Sequence, residues 1–136
     1  MSWLLDTNVI SELSRPAPEA KVAQWLSAHE DELFLSVLTL GEIQKGISNL
    51  ADSRRRRRLA SWLDHEIRPW FAGRLLPVDE RVAVGWGRMQ AQAGHPLPAI
   101  DSLIAATALE HGLTLATRNT ADMARTGVSL FNPWEA

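Results

Sequence analysis

Five short apolar runs, separated by segments of mostly helical spacing, fix the kind of fold open to this chain. They are Trp3 to Leu5, Leu33 to Ser36, Leu75 to Val78, Leu113 to Thr117 and Ser129 to Phe131. A strand buried on both faces reads as an unbroken apolar run, whereas a strand with one wet face alternates. Short runs of this kind, alternating with helices, predict an α/β fold with a parallel sheet covered on both faces.

The intervening segments read as helices. Asn8 to Leu13 predicts a brief helix stopped by Pro16 and Pro18. Glu19 to Ala28 carries Val22, Trp25 and Leu26 at helical spacing, and Thr39 to Leu50 places Ile43, Ile47 and Leu50 on one face. Arg54 to Phe71 predicts a longer amphipathic helix with Leu59, Trp62, Leu63, Ile67 and Trp70 as its stripe. Asp79 is placed to cap a helix running toward Ala93. Asp101 to His111 predicts an alanine-rich helix closed by Gly112, and a short turn or helix is expected at Thr120 to Ala124.

No linker, repeat or composition break divides the 136 residues, so one domain is expected over 1–136. The absence of cysteine excludes disulfides, thiolate metal sites and a cysteine nucleophile. Any metal must be held by oxygen or histidine, and a carboxylate-rich site favours hard cations. No apolar stretch is long enough to span a bilayer and the N-terminus carries no basic-then-apolar signal, so a cytoplasmic protein without membrane attachment is expected. The net charge of −2 means that any nucleic-acid-binding surface must be local. Trp25, Trp62 and Trp86 are expected to pack in the core or at an oligomer interface, as large aromatics usually do.

Four acids sit where a strand-like or loop segment gives way to a helix-like one: Asp6, Glu42, Asp101 and Asp122. In an open α/β sheet such junctions cluster along one edge, where ligands bind. Each acid also fits a capping role. Thr39 and Glu42 match the Thr-x-x-Glu capping box, Asp101 and Asp6 stand where N-cap aspartates belong, and Asn119 with Asp122 repeats the three-residue offset. If instead the four converge, two carboxylates about 4 Å apart repel by about 4 kcal/mol at an effective dielectric of about 20. Such a cluster recruits a cation or protonates some of its members. Magnesium and manganese accept carboxylate oxygens, and the chemistry they support at a phosphoryl centre is phosphodiester hydrolysis.

Four segments in order carry a resemblance. Leu4-Leu5-Asp6-Thr7-Asn8, Ser36-Val37-Leu38-Thr39-Leu40-Gly41-Glu42, Ile100-Asp101-Ser102-Leu103-Ile104 and Thr117-Arg118-Asn119-Thr120-Ala121-Asp122 resemble the motifs of PIN-domain ribonucleases. They are most similar to the VapC/FitB branch of toxin–antitoxin toxins, and the resemblance spans essentially the whole chain. One departure is Met123, where the family commonly has phenylalanine. The resemblance implies a compact α/β/α sandwich, and it implies that Asp6, Glu42, Asp101 and Asp122 line a magnesium or manganese site. Asp6 and Asp101 would hold the metal most directly, with Glu42 and Asp122 completing the acidic pocket. Thr7, Asn8, Thr117 and Asn119 would orient carboxylates, water or phosphate. It further implies RNA of the translation machinery as substrate, a small antitoxin as partner, a homodimer, and promoter DNA bound only through the antitoxin.

Other features point less far. The arginine run Arg54 to Arg58 opposes the dipole of the helix it begins, which suggests a use in binding RNA or a partner, although a solvated face is the common explanation. Nothing pairs the four histidines as the acid and base of a metal-free ribonuclease. Asp6-Thr7 resembles the start of a phosphoaspartyl phosphatase motif, but Asn8 stands where the second acid is needed and neither Lys21 nor Lys45 ends a strand-like run. Two further readings keep the same fold: a catalytically silent RNA-binding or interaction module, and an RNA-processing nuclease without an antitoxin.

Overall fold

A computed structural model describes residues 1–136. Five parallel strands form one sheet in the order β3-β2-β1-β4-β5. They are β1 (Trp3–Leu5), β2 (Leu33–Ser36), β3 (Leu75–Leu76), β4 (Thr114–Ala116) and β5 (Leu130–Phe131). The helices are α1 (Thr7–Glu12), α2 (Ala20–Ala28), α3 (Val37–Ser48), α4 (Ser53–Trp62), α5 (Arg68–Trp70), α6 (Glu80–Ala93), α7 (Ala99–Glu110) and α8 (Thr120–Met123).

The burial of β1 explains why its sequence is apolar throughout. Trp3 and Leu5 face one core cluster, with Val9, Ile10, Trp25, Leu26 and Ile43 from α1, α2 and α3. Leu4 faces the other, with Val82 and Met89 of α6 and Ile104, Ala105 and Ala108 of α7. Successive strand residues point to opposite faces, so both faces of the central strand are covered and the α/β/α layering follows. Trp25 packs edge-on against Trp3 at 5.2 Å between ring centroids, and Trp62 and Trp86 pack against the two clusters. Met123 is fully buried in the second cluster, so methionine fills the position after Asp122.

Several element boundaries differ from the sequence expectation for local reasons. α3 begins at Val37 rather than Thr39 because the Ser36 hydroxyl accepts the Leu38 N–H at 3.0 Å and caps the helix. α7 begins at Ala99 rather than Asp101, with Pro98 before it. The long helix runs from Ser53 to Trp70 but widens into a π turn at Leu63–Ile67. There the Arg68 N–H reaches the Leu63 carbonyl. The Pro69 ring would collide with the His65 carbonyl in an ordinary turn, and the wider turn relieves that clash. Asp79 caps α6 as expected, accepting the Val82 N–H at 3.0 Å. Gly112 takes the left-handed backbone, φ +64°, that ends α7.

The chain starts in the middle of the sheet. From β1 it builds outward through β2 to β3, then crosses to β4 and β5 on the other side. The strand order therefore reverses at β1, and the crevice beyond the carboxyl ends of β1 and β4 is the place where such sheets bind ligands.

Leu4 is the sole β1 side chain in the second core cluster and is fully buried. Leu4→Ala is expected to cost about 2 to 5 kcal/mol of folding stability. Urea unfolding checks this, and a loss below about 1 kcal/mol would mean that β1 is not packed on both faces.

Candidate acidic site at the sheet edge

Asp6 follows β1 directly, and its backbone N–H continues the ladder to the Ala116 carbonyl of β4 at 2.9 Å. Its side chain is 4% exposed. Oδ1 accepts the Thr7 N–H at 2.8 Å, so Asp6 does cap α1. Oδ2 accepts the Thr117 hydroxyl at 2.7 Å and the Asn8 amide at 3.3 Å. Thr117 follows β4, and its oxygen in turn accepts from Asn8 Nδ2 at 3.2 Å and from the Asn119 N–H at 3.0 Å. The Arg118 N–H donates to Asn8 Oδ1 at 3.2 Å. This network closes the β1 and β4 ends on each other and fixes the carboxylate of Asp6 in one orientation. Asn119 takes part through its backbone; its side chain makes no cap bond to α8.

Thr7 makes the second link. Its hydroxyl lies 2.5 Å from Glu42 Oε1 and 3.1 Å from Thr39 Oγ1. A carboxylate can only accept, so the hydroxyl proton goes to Glu42 and the Thr7 oxygen is left to accept from Thr39. Glu42 is an interior residue of α3, whose cap is Ser36; the capping-box expectation for Thr39 and Glu42 is therefore overturned. Thr39 is fully buried and serves Thr7.

Asp101 and Asp122 also lie inside their helices, each as the third residue, so Asp101 is not the N-cap that its position suggested, while Asp122 keeps its three-residue offset from the N-cap Asn119 without a side-chain cap bond. Neither carboxylate accepts a hydrogen bond from the protein. Both line a cavity of about 120 Å³ with Ser102, Met123, Arg125 and Thr126. Ser102 is buried and donates to the Pro98 carbonyl at 2.6 Å, while it accepts the Trp86 indole N–H at 2.8 Å. It thereby anchors the first turn of α7 on which Asp101 rides. Sequence reading missed Ser36, Ser102 and Arg125. Only Ser102, beside Asp101, carried a signal in its position.

The four acids are linked by charge through Asp101, which lies in the field of Glu42 and Asp122 and itself acts on Asp6. Burial pushes the Asp6 carboxyl above the ordinary carboxylate range; the bonds from Thr117 and Thr7 oppose this, and the charges of Asp101 and Glu42 add to it. Asp101 is also pushed up, first by burial, then by Glu42 and then by Asp122. No three of these side chains converge tightly enough to form a preassembled cage for an ion. The donor set is nonetheless all hard carboxylate oxygen, mutually repelling and partly desolvated, and a hard divalent cation is the species that relieves such a set. Asp6, Glu42, Asp101 and Asp122 fit that role in chemistry.

The family model described as the PIN domain matches residues 3–128. Toxin FitB of Neisseria gonorrhoeae is 42% identical over 135 residues, covering 96% of this chain and 97% of that protein. VapC ribonuclease Y4jK of Sinorhizobium fredii is 38% identical over 136 residues, covering 97% of each. The solved structure of FitAB bound to an IR36 DNA fragment superposes with a TM-score of 0.90 at 40% identity, covering 97% of this chain and 95% of that one.

The raised carboxyl of Asp101 carries a sign. The folded state binds this proton more tightly than the unfolded state, so stability falls as pH rises from the ordinary value near 3.8 through the raised one, and stays lower above it. Asp101→Asn removes that cost and forfeits no hydrogen bond. In chelator at pH 7 the variant is expected to melt above the wild type. The gap should close as pH falls below the ordinary aspartate range. An equal or lower Tm at pH 7 would show that Asp101 is not under this repulsion.

Proposed function

This chain belongs to the PIN-domain family, and from that premise we propose that it is a divalent-metal-dependent endoribonuclease acting as the toxin of a type II toxin–antitoxin pair. The observation that carries the reading is the Asp6 carboxylate, immobilised at the switch point of the sheet with Glu42 and Asp101 in its field and Asp122 in that of Asp101, only one of the four being used as a cap. The names of the relatives, a FitB toxin and a VapC ribonuclease, support the assignment.

In this reading Asp6 and Asp101 hold a magnesium or manganese ion, and Glu42 and Asp122 complete the pocket directly or through water. When bound, the ion activates water and steadies charge at the phosphoryl centre. Thr117 and the Thr7 N–H aim Asp6 and favour its charged form against the burial that opposes it, since hydrogen bonds to a carboxylate favour that form. Thr7 holds Glu42 toward the same space, close enough for its charge to act on both Asp6 and Asp101. Carboxylates not consumed by ion pairs are available to take a proton from the attacking water.

The substrate is RNA of the translation machinery. A small antitoxin restrains the toxin, promoter DNA is reached through that antitoxin, and the toxin is a homodimer; a solved FitAB complex holds a DNA fragment. The chain acts as one domain over 1–136. No helix is long and apolar enough to cross a membrane, which accords with action in the cytoplasm.

Asp101→Asn is expected to abolish RNA cleavage while the far-UV circular dichroism stays native, and excess chelator should do the same to the wild type. Thr117→Val removes an orienting group rather than a ligand and should cost about 10- to 100-fold. Sequencing RNA ends after brief induction, beside the Asp101→Asn control, reads target and dependence together. Full activity in that variant or in chelator would defeat the assignment. Harmless overproduction in a bacterial host would retain a nuclease and remove the toxin.

A further inference from the structure

The run Arg54 to Arg58 fills the first two turns of α4, capped by Asp52, which accepts the Arg54 N–H at 3.0 Å. Cations there oppose the helix dipole. Intramolecular ion pairs would compensate, yet none of the five forms one: the cations paired in this chain are the N-terminus, Arg15, His29, Arg68 and Arg81. Arg56 is tied to the Leu50 carbonyl at 2.8 Å, while Arg54, Arg55, Arg57 and Arg58 are exposed.

Two of these arginines have a defined place. Arg55 lines a cavity of about 220 Å³ that also contains Glu42. Arg58, one turn further on, lines an adjoining cavity of about 390 Å³. Ser14, Leu59 and Trp62 belong to both, so the two form one groove that leads from Glu42 along the helix. Residues three apart lie on the same side of a helix, and so Arg55 and Arg58 flank this groove in register. Arg54 and Arg57 form a parallel pair beside them.

We propose that Arg55 and Arg58, supported by Arg54 and Arg57, form a phosphate track for a single RNA strand entering the acidic site past Glu42. The proposal rests on the nuclease reading of that site and adds where the substrate is held. The acids repel a polyanion, and the chain is net negative. A strand brought to them needs a concentrated positive surface in continuity with the cleft, and Arg55 is the cation that shares the Glu42 cavity on this side. Guanidinium groups suit phosphate because their planar donors match its oxygens. A track of this kind reads the backbone, so it contributes affinity and strand direction rather than base choice.

The test is fluorescence anisotropy of an unstructured single-stranded RNA in excess chelator, where binding is separated from cleavage, across a series of salt concentrations. The proteins are the full chain, Arg55→Gln/Arg58→Gln, Arg54→Gln/Arg57→Gln, and Lys21→Gln/Arg88→Gln as a control of equal charge change on exposed side chains away from the groove. Two lost phosphate contacts are expected to lower the slope of log affinity against log salt by about 1.4. The Arg55/Arg58 variant should show this, the Arg54/Arg57 variant a smaller part, and the control none. Matching thermal melts exclude misfolding, and the Arg54/Arg57 pair gives a second reading should the first variant be unstable. An unchanged slope in both variants, or an equal loss in the control, overturns the track. So does an unchanged slope accompanied by loss of a co-purifying small protein, which assigns the groove to that partner. If the wild type binds with the arginine-dependent slope but cuts nothing, the track stands and the nuclease reading falls.

Discussion

The bond from the Thr117 hydroxyl to Asp6 Oδ2 is the interaction on which the rest of the site depends. It joins the ends of two strands that are neighbours in the sheet and 111 residues apart in the chain. The Thr117 oxygen accepts in turn from Asn8 and from the Asn119 N–H, which leaves its proton directed at Asp6. The same atoms therefore close the sheet edge and aim a charge. A carboxylate buried to 4% exposure without such donors would tend to protonate, and a protonated Asp6 would present a donor where an acceptor is needed.

That arrangement holds the carboxylate in tension rather than at rest. Hydrogen bonds pull Asp6 toward ionisation, while burial and the charges of Asp101 and Glu42 push it away, and burial is the larger effect. Asp101, with no donor of its own, carries the repulsion of Glu42 and Asp122 without relief. A fold built for stability alone would place a cation among these groups. Here Arg125 lines the cavity with Asp101 and Asp122 yet forms no ion pair with either, and Arg55 shares a cavity with Glu42 on the same terms. The negative charge is left uncompensated at the one edge where the sheet topology opens a crevice.

Much of this was legible in the sequence because the strands are buried on both sides. Trp3-Leu4-Leu5 has no polar residue to spare for solvent, and the acid that ends the run has nowhere to go but the sheet edge. The ordered set of four acid-bearing segments was legible through the resemblance their motifs carry. Helix starts were not. Thr39 with Glu42 has the spacing of a capping box, but Ser36 lies three residues earlier and caps first, which turns Thr39 into a buried partner of Thr7. Pro98 caps α7 three residues ahead of the expected cap at Asp101, because proline is well tolerated just outside a helix and Ser102 can bond back to its carbonyl. Local capping chemistry has several equivalent solutions within a few residues, and tertiary contacts choose among them. The contribution of Ser102 depends on Trp86 and Gln90 from α6, which no local pattern reveals.

These misplaced caps bear on function. An acid that caps a helix is already neutralised in part by the N–H groups it accepts, and has less charge to offer a cation. Moving the caps of α3 and α7 to Ser36 and Pro98 leaves Glu42 and Asp101 free of that duty. Only Asp6 keeps both roles, and it can because its two oxygens divide them: Oδ1 takes the Thr7 N–H that caps α1, and Oδ2 takes Thr117 across the sheet. The second interaction fixes the plane of the carboxylate, so the lone pairs unused by either donor keep a set direction. In a site whose members do not converge on their own, one acid with a fixed direction is the reference against which Glu42, Asp101 and Asp122 can close.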